Sequence, residues 1–93
     1  MSKITKYARG QECSLRLECC NYNTETTVWA HISIGFNSGM GMKPVDIFGV
    51  FACSDCHDAL DGRSPVKVGY DDKLRALIES QNRLIKAGLV SCA

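Results

Sequence analysis

The C-terminal third of the chain carries a hydrophobic repeat with helical spacing, formed by Leu74, Leu77, Ile78, Leu84 and Ile85. Asp71 and Asp72 precede the repeat and Lys86 ends it, so charges complement the helix dipole at both ends. Gly88 then fits the position that follows a helix C-cap. The pattern predicts an amphipathic C-terminal helix over about residues 71–87, whose apolar stripe covers the core.

Two segments in the middle of the chain have the composition of β-strands. Residues 26–34 are rich in β-branched and aromatic residues, and residues 45–52 are apolar. Three glycines and Pro44 lie between them and indicate a loop. We therefore expect a hairpin, although a buried helical turn stays open as an alternative for residues 45–52 because periodicity does not separate the two.

A short helix is expected to follow the second strand. Ser54 and Asp55 are both suitable N-cap residues. The helix would run to about Leu60 and stop at Gly62.

The chain is near the low end of the size range in which a hydrophobic core supports a fold without help. It has 93 residues and 6 cysteines. The first residues lack the apolar region of a secretory signal, and no segment reaches transmembrane length. We expect a single cytoplasmic domain over residues 1–93 with no membrane partner. In a reducing compartment, clustered cysteines are more often metal ligands than disulfides.

The cysteines have the spacing of two zinc knuckles. Cys53 and Cys56 form a CxxC pair, and Cys13 can join either Cys19 or Cys20. Cys20 is preferred because a turn follows it directly. Four thiolates close a tetrahedral structural zinc site. The predicted Zn²⁺ ligands are Cys13, Cys20, Cys53 and Cys56, in knuckles at residues 13–20 and 53–56.

A second, catalytic ion is suggested by the residues after the CxxC pair. His57 follows Cys56 directly, and Asp61 lies one helical turn later on the same face. Imidazole and carboxylate could together hold Mg²⁺, Mn²⁺ or Zn²⁺ and leave positions for water and a phosphate oxygen. The alternative makes His57 the fourth ligand of the zinc site and Asp61 a surface carboxylate.

His31 is the candidate general base. It lies near the end of the first predicted strand, which the hairpin would bring opposite the CxxC pair. Neutral imidazole is available near pH 7 and accepts a proton from an attacking water. Asp46, on the returning segment, could fix the tautomer of His31. Taken alone, these residues would more often be a packed strand histidine and a turn aspartate.

Charge points only weakly to nucleic acid. The net charge is +1, whereas nucleic-acid-binding domains usually carry a clear basic excess. Lys3, Lys6 and Arg9 precede the first acidic residue, so the N-terminus is either a basic arm for phosphates or a frayed terminus. Arg75 and Arg83 are expected to be solvated rather than in contact with DNA.

The order of these motifs resembles the HNH, or ββα-metal, nuclease motif. The resemblance rests on Ala30-His31-Ile32, a glycine loop through Gly39 and Gly41, Asp46, and Cys53-x-x-Cys56-His57. Over about residues 8–63 the chain more closely resembles small prophage-encoded predicted nucleases of the YbcO type. The fold implied is an α+β, zinc-stapled treble clef with an HNH-like ββα region at residues 26–62, followed by the C-terminal helix.

The resemblance also implies roles for single residues. His31 would be the general base, Asp46 would stand at the central Asn position, and His57 would bind the catalytic metal. Ala30 occupies the position where many HNH enzymes place a metal-binding side chain. The main interpretation is a metal-dependent endonuclease that hydrolyses DNA, with a role in phage recombination or DNA processing.

Two other classes of protein stay open. Ala30 and the low net charge favour a non-catalytic zinc-finger module that binds DNA or a protein partner. A redox CxxC protein is disfavoured because the chain has further clustered thiols and no βαβ pattern. Pairing of two chains into a homodimer is a further expectation.

Overall fold

A two-stranded sheet lies between helices that cover both of its faces. The computed structural model describes residues 3–32 and 47–90. Within them the elements are α1 (Lys3–Ala8), a 3₁₀ turn (Thr24–Thr26), β1 (Val28–His31), β2 (Gly49–Ala52), α2 (Ser54–Leu60) and α3 (Tyr70–Lys86). The structure is thus a small mixed fold of three helices and two strands across this part of the chain. None of these helices has the length and apolar character needed to span a bilayer.

The two strands form the predicted hairpin. They pair antiparallel, with Val28 opposite Ala52 and His31 opposite Gly49. The alternative of a helical turn is therefore excluded for residues 49–52. All four residues of β2 are buried, because elements pack against both faces of the strand.

The alternation of the strands creates two hydrophobic clusters. On one face, Ala30, Val50 and Ala52 pack with cysteines and with α2. On the other face, Trp29 and Phe51 meet edge to face, with ring centroids 5.1 Å apart. Gly49 lies beneath the indole ring, where an added Cβ would stand 2.5 Å from Trp29 Nε1. Only glycine fits that position.

The N-terminal segment is a helix, which the sequence analysis did not predict. Ile4, Tyr7 and Ala8 of α1 pack on the cluster of Trp29 and Phe51. Their spacing of three and four residues was the available signal. Lys3 and Lys6 are exposed on α1 and Arg9 just after it. The frayed alternative is wrong for residues 3–8, which form a helix, and Lys3 and Lys6 lie on its outer side.

Helix α3 agrees with the prediction for residues 71–87 to within one residue, but its buried face differs. Leu84 is buried and Leu77 is partly buried, whereas Leu74, Ile78 and Ile85 are exposed. The face against the sheet is instead formed by Ala76, Ser80 and Leu84. Small side chains occupy that face because they let the helix approach β2 closely.

Ser80 and Ser14 satisfy the free edge of β2. The Phe51 N–H donates to Ser80 Oγ at 3.2 Å, and the Ser80 hydroxyl donates to Ser14 Oγ at 3.0 Å. Ser14 Oγ and its backbone N–H then donate to the Phe51 carbonyl at 2.8 and 2.7 Å. Both serines are fully buried. The network replaces the third strand that would otherwise be needed to satisfy this edge.

Both longer helix ends use glycine as expected. Gly88 follows α3 with φ +76°, and Gly62 follows α2 with φ +79°. The N–H groups of Gly88 and Leu89 donate to Ile85 and Leu84, which is the Schellman pattern. The chain therefore leaves each helix at a defined angle.

Replacing Ser80 with alanine tests the edge network. Ser80→Ala removes the acceptor of the buried Phe51 N–H, so we expect a loss of about 1–3 kcal/mol in the free energy of unfolding. Urea unfolding of the metal-loaded protein measures it. Asn82→Ala is the matched control, because it makes a polar-to-alanine change at an exposed position of the same helix. Equal stability of the two variants would contradict the role given to Ser80.

Candidate metal centre

Four cysteines from three parts of the chain converge beside the sheet. The sulfur atoms of Cys13, Cys20, Cys53 and Cys56 all lie within 4.8 Å of one another. The Sγ atoms of Cys20 and Cys53 are 3.7 Å apart. Zn–S bonds of about 2.3 Å in a tetrahedron separate sulfur atoms by about 3.8 Å. The donor set and its spacing therefore fit one zinc ion, and they do so with the four cysteines expected from the sequence.

The first ligand is presented by a tight turn at Cys13. Arg16 adopts a left-handed conformation with φ +45°. Its backbone N–H donates to Cys13 Sγ, with 3.5 Å between the nitrogen and the sulfur.

Three arginines hold this turn against α3, and the sequence analysis missed their role. Arg75 donates to the carbonyls of Ser14 and Leu15 at 3.0 and 2.7 Å. Arg83 donates to the Glu12 carbonyl at 2.9 Å and stacks over Phe51. Arg75 and Arg83 were expected to be solvated rather than in contact with DNA; Arg75 is exposed, and both also bind backbone carbonyls of this turn. Sequence spacing held no signal for these bonds, since donor and acceptor are at least sixty residues apart.

Arg16 completes this attachment through an ion pair. Its guanidinium donates to both carboxylate oxygens of Glu79, at 2.9 and 2.6 Å. These hydrogen bonds lower the pKa of Glu79. The Arg16 guanidinium also donates to the Cys13 carbonyl at 3.1 Å. One side chain thus connects the ligand-bearing turn to α3.

The structure distinguishes the adjacent cysteines. Cys20 faces the cluster, and its N–H donates to the Leu17 carbonyl at 2.9 Å. Cys19 lies outside the cluster, with its Sγ 3.6 Å from the Asp55 carbonyl oxygen. The turn after Cys20 is confirmed, because Tyr22 has φ +54°. The preference for Cys20 over Cys19 therefore agrees with the geometry.

Helix α2 begins at the cluster. Its N-cap is Cys53, whose Sγ accepts the Cys56 N–H at 3.4 Å. The prediction that Ser54 or Asp55 is the N-cap of this helix is wrong. Both side chains instead accept hydrogen bonds of 3.0 Å from the Asn21 amide. They join the Cys20 turn to α2, which leaves the capping position to the cysteine sulfur.

The thiol pKa values describe a site at which a bound cation would favour ionisation of the cysteines. Burial raises the pKa of Cys20 to about 11 and that of Cys56 further, and neighbouring Cys13 adds to both shifts. Burial also opposes ionisation of Cys53, but the N–H groups of Cys56 and Asn21 outweigh it and lower its pKa. Four thiolates in one buried volume repel one another unless a metal compensates their charge. A divalent ion does so.

His57 and Asp61 do lie together on α2, outside the cysteine cluster. His57 Nε2 is 3.3 Å from Asp61 Oδ2, and that oxygen is 2.5 Å from an Arg63 nitrogen. Within residues 3–32 and 47–90, no second group of three or more candidate ligand residues comes together. The four sulfurs favour a four-cysteine zinc site over one completed by His57.

His31 lies at the exposed end of β1. Neighbouring strand residues point to opposite faces, so His31 is on the face of Trp29 and Ala30 is on the cysteine side. Ala30 is only 2% exposed and packs in the cluster that contains Cys53 and Cys56. The position before His31 is thus part of the core. Asp46 lies outside the described residues.

Comparison with known proteins identifies the family of the chain. A family model described as "Putative nuclease YbcO" matches residues 2–88. This chain belongs to the YbcO family. A relative from Escherichia coli (strain K12) named "Putative nuclease YbcO" is 39% identical over 94 residues, covering 97% of this chain and 98% of the relative. "Putative nuclease ybcO" of Enterobacteria phage 82 has the same identity and coverage.

A solved structure has the same fold. It is described as "Structure of a putative bacteriophage protein from Escherichia coli str. K-12 substr. MG1655". It superimposes with a TM-score of 0.73 at 36% sequence identity, over 91% of this chain and 99% of that one. The resemblance to YbcO-type proteins, recognised from the motifs, is confirmed over nearly the whole chain.

The adjacent cysteines provide a matched test of the metal centre. We expect Cys20→Ser to lose most of its bound zinc and to melt at a lower temperature, because a structural zinc site contributes on the order of 10 kcal/mol. Cys19→Ser should keep about one zinc per chain and the wild-type melting temperature. Elemental analysis and thermal melting, with and without a strong chelator, measure both quantities. Equal behaviour of the two variants, or a wild type that resists chelation and keeps its melting temperature, would refute the assignment.

Proposed function

We propose that this protein is a metal-dependent endonuclease that hydrolyses phosphodiester bonds in DNA. The observation that carries the proposal is the order β1, β2, α2, with the cysteine cluster at the β2–α2 junction and His57 one turn into α2. That order matches the ββα unit of the HNH resemblance. The family description and the names of both relatives agree with nuclease activity.

Structural zinc on the four cysteines would complete a treble-clef domain. The ion would tie the Cys13 turn, the Cys20 turn and the start of α2 to one point. Because α2 begins at Cys53, zinc binding would also set the direction in which α2 presents His57. The zinc ion therefore serves architecture in this proposal and takes no part in the reaction.

His57 and Asp61 are the proposed ligands of a second divalent ion. When bound, such an ion would stabilise negative charge on the phosphate and on the 3′ leaving oxygen. Both side chains are about one-third exposed, at 34% and 39%, so substrate can reach them. Arg63 already holds the Asp61 carboxylate. Ion binding through Asp61 Oδ2 would therefore compete with the Arg63 guanidinium.

His31 is the proposed general base. Its exposed position at the end of β1 allows a ring nitrogen to accept a proton from the attacking water. Asp46 would hold the imidazole in the tautomer that accepts this proton. Hydrolysis with a 3′ leaving oxygen yields a 5′-phosphate product.

DNA is the proposed partner and phage recombination or DNA processing in the cytoplasm the proposed setting. A relative of near-identical length comes from a phage, which supports that setting. The exposed basic residues Lys3, Lys6 and Arg9 line the outer side of α1 and the turn after it. They supply phosphate contacts of the kind that bind DNA without regard to sequence.

The burial of Ala30 favours one alternative, a zinc-stapled module that binds DNA or protein without cutting. Ala30 packs in the core and offers no ligand at the position before His31. The catalytic ion would then depend on His57, Asp61 and water. A non-catalytic module would bind DNA equally well when His31 is replaced.

A plasmid-nicking assay separates the two functions. We expect wild-type protein to nick supercoiled DNA in Mg²⁺ or Mn²⁺, and His31→Ala to lower the rate by about 10²–10⁴-fold, the usual contribution of a general base. His57→Ala should also lower the rate, because it removes a ligand of the second ion. Zinc content and melting temperature should stay unchanged in both. Asn82→Ala serves as the active control. Wild-type binding without nicking under any ion would establish the binding module instead.

Arg63 tests the second ion site separately. Removing the guanidinium in Arg63→Ala frees the Asp61 carboxylate, so half-maximal nicking should require less Mg²⁺ than in wild type. Asp61→Asn should require more, because a neutral amide binds the ion less strongly than a carboxylate. Titration of Mg²⁺ in the nicking assay measures both. If both variants keep the wild-type Mg²⁺ requirement, Asp61 is not a ligand.

A further inference from the structure

The outer face of α3 carries an apolar stripe that the described part of the chain leaves open. Leu74 is 58% exposed, Ile78 is 61% exposed and Ile85 is 39% exposed. At 100° per residue these side chains lie within a narrow sector of the helix, opposite Ala76 and Ser80. Three large aliphatic side chains in line on an otherwise well-packed helix mark an interaction surface.

Grooves run along both sides of this stripe. One groove of about 270 Å³ is lined by Ile32, Tyr70, Lys73, Leu74 and Leu77 among the described residues. On the other side a groove of about 560 Å³ is lined by Asp71, Leu74, Arg75, Ile78, Glu79 and Asn82. A ridge flanked by grooves is the shape with which one helix packs against another.

The charges at the two ends of the stripe are opposite. Asp71 lies in the first turn of α3 and Lys86 in the last, and both are exposed. An antiparallel copy of α3, related by a two-fold axis near Ile78, would place its Lys86 beside Asp71 and its Leu74 between Ile78 and Ile85 of the first helix. Ile78 stands midway between Tyr70 and Lys86, close to where a two-fold axis would cross the helix. The surface is therefore complementary to itself in the antiparallel direction.

We propose that α3 pairs with α3 of a second copy of this chain to form an antiparallel, two-fold symmetric homodimer. The charge pattern favours this occupant over a nucleic acid, since the centre of the stripe is aliphatic and one end is acidic. A net charge of +1 per chain gives little long-range repulsion between copies. Antiparallel pairing also opposes the two helix dipoles favourably. The proposal does not depend on nuclease activity.

A charge-swap experiment on the zinc-loaded full chain tests both the partner and the direction. Asp71→Lys alone and Lys86→Asp alone each create two like-charge contacts per dimer by symmetry. Each should raise the dimer dissociation constant about tenfold in analytical ultracentrifugation. An equal mixture of the two variants restores both opposite-charge contacts, so we expect it to recover wild-type association as a heterodimer. Failure to recombine overturns the antiparallel arrangement.

Replacing the central side chain tests the apolar contact. Ile78→Lys should weaken association by about a hundredfold or more, since buried central contacts dominate interfaces. Its melting temperature as a monomer should equal that of monomeric wild type, because Ile78 is exposed within the chain. Val28→Lys, at an exposed position on β1, is the control and should dimerise normally. Wild-type protein that stays monomeric at every concentration overturns the proposal. A loss of monomer stability in Ile78→Lys also overturns it, because it would show that the chain itself covers this face.

Discussion

Four cysteine sulfurs within bonding reach of a single ion are the constraint on which the rest of this structure depends. They come from two turns and a helix start that share no regular secondary structure with one another. The pKa values of Cys53 and Cys56 shift in opposite directions, because burial raises that of Cys56 while hydrogen bonds to its sulfur lower that of Cys53. A small sheet with two strands buries little apolar area, so an ion bound by the four cysteines would add substantially to the stability of the fold.

Helix α3, near the C-terminal end of the sequence, holds the turn that carries Cys13 in place. Its arginines bind carbonyls of the turn that carries Cys13, and Ser80 satisfies the edge of β2. Hydrogen bonds from charged guanidinium groups to backbone carbonyls are stronger than neutral ones and more directional than packing. The ligand-bearing turn therefore has a defined position before a metal binds. Helix α3 can leave its large aliphatic residues exposed because small residues and polar bonds make its contact with the sheet.

The hairpin divides the molecule by function. One face holds the cysteine cluster and α2, with Ala30 filling the space between them. The other face holds the aromatic pair beneath α1. His57 lies on α2 at the surface, and His31 lies at the open end of β1. The residues proposed for chemistry thus occur where the packed layers end, and the packed layers themselves contain the four clustered cysteines.

The sequence alone determined the hairpin, helices α2 and α3, and the four clustered cysteines. Each of these is specified by a pattern that spans only a few residues: hydrophobic spacing, a capping glycine or a zinc-knuckle motif. It also determined the family, because several motifs agree in order. Tertiary structure decided the contacts between residues that are distant in sequence, which a local sequence pattern does not specify. The buried face of α3 contains Ser80 and Ala76 and not the larger aliphatic residues. A close approach of the helix to β2 stabilises the fold more than burial of the larger side chains would. Asn21 draws Ser54 and Asp55 away from capping, and arginines bind carbonyls some sixty residues away. These contacts depend on distances in space, which spacing along the chain does not specify.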